Sequence, residues 1–67
     1  MNRAEDLDGR MVEVLIGDMV GFVGRAVNDD GWIGVDLAAV DPTDPRMIYP
    51  LQPDQVKLRE DLEQHYG

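Results

Sequence analysis

The chain has 67 residues, 14 of them acidic and six of them Lys or Arg, for a formal net charge of −8. That length holds one domain, and a domain so short buries only about 60% of the surface its unfolded chain exposes. Cysteine is absent, which excludes disulfides and thiolate metal sites; the cations are scattered, each with an acid within a few residues, which argues against direct nucleic-acid binding.

Residues 1–8 read as a polar lead-in that packs only through Leu7. From Gly9 to Ile16, Val12, Val14 and Ile16 alternate with Met11, Glu13 and Leu15, the period of a half-buried strand. Gly17 to Gly21 reads as a loop with glycine at both ends, suited to a tight or irregular connection. Phe22 to Val27 is a second strand, with Val23 and Val27 on one face and Gly24 and Ala26 on the other. Small residues on that second face point to a close strand approach or a sharply bent ribbon. Asn28-Asp29-Asp30-Gly31 is a hairpin turn. Trp32 to Leu37 is a third strand, with Ile33, Val35 and Leu37 toward the core and Trp32, Gly34 and Asp36 on the opposite face.

Ala38 to Arg46 reads as a loop around Asp41-Pro42-Thr43-Asp44-Pro45. Met47 to Leu51 is a short fourth strand, in which Pro50 marks its end or a sheet edge. Gln52 to Gln55 is a single helical turn, and Val56 to Leu58 a last short strand. Two readings of the C-terminus stand. One helix could begin near Pro53, because Leu58, Leu62 and Tyr66 are four apart and Lys57/Asp61 and Arg59/Glu63 are opposite charges at the same spacing. Alternatively a strand ends near Arg59 and hands over to a short helix. The period-two pair Val56 and Leu58 favours the second.

Five short strands, a glycine-bounded first loop, an Asn-Asp-Asp-Gly turn and one helical turn before the last strand look like an all-β, small SH3-like five-stranded barrel. Its divisions are a lead-in at 1–8, the barrel at 9–58 and a tail or short helix at 59–67. Within that class, Gly9 to Leu37 resembles the KOW-type motif of ribosomal proteins and transcription elongation factors, at Val12, Val14, Gly17, Gly21, Gly24, Val27, Val35 and Leu37. The resemblance implies binding of RNA or protein through basic loop residues. Here the corresponding positions are Gly17, Asp18, Met19, Val20 and Gly21, without lysine or arginine, which turns the expectation away from RNA. Tudor-like barrels, another relative, read methylated residues with an aromatic cage. This chain has only Phe22, Trp32, Tyr49 and Tyr66, which must also serve the core.

Little in the chain suggests chemistry. Serine is missing as well as cysteine, Thr43 is the only aliphatic hydroxyl, and His65 stands third from the end, where a solvated histidine is the plain reading. Asp29-Asp30-Gly31 and Asp41/Asp44 lack the spacing of a calcium loop and read as turn formers. No Gly-x-x-x-x-Gly-Lys pattern cradles a phosphate. The expectation is a protein with no catalytic residues, no cofactor and no metal.

What remains is binding. The sequence is read as a small acidic interaction module that takes a protein partner or itself, with Trp32, Met19, Val20 and Phe22 as the contact patch. The competing reading has those side chains cover the open end of the barrel. A second function reading is an acidic decoy whose carboxylates occupy the nucleic-acid site of an enzyme, and a third is KOW-type RNA binding. No apolar run approaches the roughly 20 residues of a membrane-spanning helix, and the N-terminus lacks a signal-peptide core, so a soluble cytoplasmic protein is expected. Arginine outnumbers lysine five to one, as in a GC-rich bacterial or phage genome.

Overall fold

The computed structural model describes residues 3–66. Five antiparallel strands make one sheet: β1 (Met11–Val14), β2 (Val23–Asp29), β3 (Trp32–Asp36), β4 (Met47–Leu51) and β5 (Val56–Leu58), in the order β4-β3-β2-β1-β5. Two short helices complete it, α1 (Ala4–Leu7) and α2 (Glu60–Tyr66), with single 3-10 turns at Gly17–Met19, Leu37–Ala39 and Pro53–Gln55. The strand-then-helix reading of the C-terminus is thus the one observed. Pro50 lies in an edge strand, where a missing N–H leaves no ladder bond unmade.

The core is a cluster of aliphatic side chains. Val12 and Val14 come from β1, Ile33 and Val35 from β3, Leu37 from the turn after it, and Leu51 and Val56 from the last two strands. Period-two alternation places those of β1 and β3 on the inner face. Ala4 and Leu7 of α1 join this cluster, so the lead-in is a helix that closes the core through two residues rather than Leu7 alone. Its start is local: the Asp6 carboxylate accepts from the backbone N–H of Arg3 at 3.3 Å, satisfying one orphan donor of the first turn. The chain then runs beside β2, with Gly9 N–H donating to Ala26 O at 2.8 Å and Ala26 N–H to Arg10 O at 2.8 Å.

The first strand is shorter than its alternation suggests. It ends at Val14, and Ile16 is 43% exposed instead of buried. Leu15 N–H still continues the β1–β5 register by donating to Gln55 O at 2.9 Å, but beyond it the chain coils at once into the turn at Gly17–Met19. In β2, the inner face is that of Gly24 and Ala26, both buried, while Val27 is exposed. The larger residues therefore do not mark the core side here. A β-carbon on Gly24 would meet the Asp36 carbonyl oxygen and stand 2.8 Å from Val35 Cγ1, so close strand approach selects the small residue.

The β2–β3 hairpin is tighter than the four-residue turn read from sequence. Asp29 pairs with Trp32, leaving only Asp30 and Gly31 between them, at φ 52° and 92°. Two consecutive positive φ values define the turn whose twist matches that of the flanking strands.

A seven-residue helix is marginal by itself, and α2 is held by arginines from β2 and from the ends of β1 and β5. Arg10 Nε donates to both oxygens of Glu63, at 2.9 and 3.0 Å. Arg25 Nη2 donates to the Tyr66 carbonyl at 3.0 Å. Arg59 forks onto Asp61 through Nε at 3.0 Å and Nη2 at 2.8 Å, and its Nη1 reaches Glu13. These pairs replace the Lys57/Asp61 and Arg59/Glu63 pairs expected of one continuous helix, because residues 57 and 59 precede α2. Met11, fully buried yet outside the central cluster, lies on β1, the strand against which α2 packs.

Candidate functional site

The outer face of β2, β3 and β4 carries the most structured exposed surface. The register sets Arg25 opposite Asp36, Val27 opposite Gly34 and Asp29 opposite Trp32, and alternation puts all six on one face. On β4, Met47 faces Asp36, and the register then slips between the Ile48 and Leu51 pairings. That irregularity sets Tyr49 and Pro50 together against Gly34, the two-against-one arrangement of a β-bulge.

Gly34 is the floor of this face. A β-carbon there would lie 2.8 Å from Met47 Sδ and 3.6 Å from Tyr49 Cδ2, so both long side chains lean over the glycine. Val27, Asn28, Asp29, Gly34, Met47 and Tyr49 together line an open groove of about 350 Å³. Its apolar members are well exposed: Val27 37%, Met47 50% and Tyr49 50%, with Trp32 at 43% beside the groove on the same face. The Tyr49 phenol's pKa is raised, chiefly by the Asp29 carboxylate as a hydrogen-bond acceptor, then by desolvation and the charges of Asp29 and Asp30. The rim is thus acidic and the floor apolar.

Trp32 lies outward, on the face opposite Ile33 and Val35, as its sequence position indicates. The other three residues of the expected patch lie elsewhere. Met19 packs against the core. Val20 is 57% exposed in the β1–β2 connection, and Phe22 directly precedes β2. Trp32 pairs with the last residue of that seven-residue strand, so roughly 20 Å of ribbon separates it from Phe22. Phe22 instead lines a second groove of about 290 Å³ with Val23, Leu37, Val40, Asp41 and Asp44. The Arg46 guanidinium sits 5.8 Å from its ring centroid, held by Asp44 at 2.8 Å.

Sequence reasoning placed Trp32 but not Val27, Met47 and Tyr49 beside it. The outward phase of Val27 was legible once Gly24 and Ala26 were taken as the inner face. The positions of Met47 and Tyr49 depend on a bulge that carries no sequence signal of its own.

The polar residues with chemical potential are engaged locally. The Thr43 hydroxyl donates to Asp41 Oδ1 at 2.6 Å, and the His65 ring packs edge-on against Tyr66 with centroids 5.1 Å apart. Among the described residues, no three or more His, Asp or Glu side chains gather as a metal site, and no helix is long and apolar enough to cross a membrane. Comparison with protein-family models, with curated proteins and with solved structures finds no match to the chain.

Proposed function

We propose that this protein is a non-enzymatic interaction module on a small SH3-like barrel, and that it binds a protein partner through the outer face of β2, β3 and β4. The strand order β4-β3-β2-β1-β5, with a single 3-10 turn joining β4 to β5, supports the barrel reading. The observation that carries the function is the groove itself. An exposed tyrosine, methionine and valine gather around a glycine floor, with an exposed tryptophan on the same face of a very small domain. Aromatic and methionine side chains are the types that anchor protein–protein contacts, and isolated exposure would not bring four of them together.

The acidic-decoy reading draws less support. Many carboxylates are folded into the architecture: Asp8, Asp36 and Asp41 accept backbone N–H groups, while Glu13, Asp44, Asp61 and Glu63 pair with arginines. Carboxylates spent on caps and internal pairs are poorly free to imitate a phosphate row.

The test is affinity capture from the native lysate at high salt, with the wild-type protein and with Trp32→Ala. A discrete protein retained by the wild type and lost from the folded variant supports the reading. Equal capture by both, or none by either, sinks it. Sedimentation of the purified protein separates self-association from a foreign partner.

A further inference from the structure

Resting on the reading of this face as a docking surface, we infer that the groove beside Trp32 takes a basic, extended segment of a partner protein, with a Lys or Arg side chain seated between the aromatics and the Asp29–Asp30 corner.

Charge and shape both lead there. Asp29 and Asp30 stand at the tip of the hairpin, and the ion pairs among the described residues involve neither of them. Asp29 lies directly across from Trp32 in the ladder and lines the groove together with Tyr49. A carboxylate flanked by two half-exposed aromatic rings suits a cation with an apolar stem: the ring faces attract the charge, and the methylenes cover the rings. Arginine fits best, because its planar head can lie on a ring while donating to a carboxylate. Next to this corner, Val27, Gly34 and Met47 offer an apolar trough for the neighbouring residue of the segment.

The same charges weigh against the other occupants. A second copy of this chain would bring another net charge of −8 toward an acidic rim, where like charges repel. A phosphate backbone meets the same repulsion. An acidic or wholly apolar segment would leave Asp29 and Asp30 desolvated without a counter-charge.

The probes are three capped peptides of equal length, one alternating arginine with leucine, one with glutamate for arginine, and one with glutamine for arginine. Binding is followed by chemical-shift changes at the Trp32 indole, the Met47 methyl and the Tyr49 ring. The arginine peptide is expected to shift these three signals, and its affinity to fall about tenfold in the double variant Asp29→Asn/Asp30→Asn. It should also weaken as salt rises. Both positions are exposed, and asparagine tolerates the positive φ of residue 30, so the variant keeps the fold and the comparison is fair. Equal binding of all three peptides at the groove overturns the cationic preference while leaving the docking surface standing. An arginine peptide that leaves these signals unmoved, or binds the double variant equally well, overturns the inference. Capture lost on Trp32→Ala tests the docking surface separately.

Discussion

Gly24 and Asp36 approach so closely that a β-carbon on the glycine would run into the aspartate's carbonyl oxygen. Backbone atoms of a paired strand cannot move aside, so this contact fixes glycine at position 24. Gly34, ten residues on, faces a different neighbour, the flexible end of Met47 at 2.8 Å.

The two glycines therefore respond differently to the same change. Gly24→Ala should cost about 2 kcal/mol or more, as overpacking against rigid structure does. Gly34→Ala should change stability by less than about 1 kcal/mol, because the thioether can rotate away. Urea denaturation of both variants measures this, and equal destabilisation would contradict the assignment of a rigid and a yielding neighbour.

Glu63 ties α2 to the sheet through Arg10. Glu63→Gln should lower amide protection across Glu60–Tyr66 while leaving β2 and β3 protected, since a helix of two turns depends on its tertiary contacts. Hydrogen exchange followed by NMR reads both regions at once. Unchanged protection in α2 would show that packing against β1 alone suffices.

Asp44 and Asp61 are both held below the ordinary aspartate pKa of 3.8, each chiefly by a hydrogen bond from an arginine, Arg46 and Arg59 respectively. A carboxylate whose pKa is lower when folded stabilises the native state above its unfolded pKa. That contribution is lost as pH falls from about 3.8 through the depressed values. Asp61→Asn should therefore lower the Tm at neutral pH, and the gap to wild type should close on acidification below that range. A gap that persists at low pH would mean the side chain acts by packing alone.

Tyr49 runs the other way. Asp29 raises its phenol above 10.0, so the neutral phenol stabilises the fold below pH 10.0 and that share is lost as pH climbs through the raised value. Titration of the phenolate absorbance should show Tyr49 ionising late, and Asp29→Asn should bring it back toward 10.0. An unchanged titration in the variant would remove Asp29 from the rim of the groove.

Much of the architecture was legible in the residues. Alternation in β1 and β3, turn chemistry at Asp30-Gly31, and the pair Val56 and Leu58 each depend on local backbone preference or on a period of two, which sequence carries directly. The same local logic set Trp32 outward. Other features had no local signature. Alpha1 is one turn long and gains its stability by placing Ala4 and Leu7 on the core, a contact with residues far along the chain. The inner face of β2 was decided by how closely β3 passes Gly24, so the small residues rather than the valines turned inward.

The sequence by itself determined an acidic, disulfide-free chain of short antiparallel strands, because charge, residue type and alternation are properties of neighbours in the chain. Only the tertiary structure decided that Trp32 shares a face with Val27, Met47 and Tyr49 rather than with Met19, Val20 and Phe22. That choice rests on strand register and on a bulge in β4, and both are set by which residues meet across the sheet, where packing and not local preference selects the pairing.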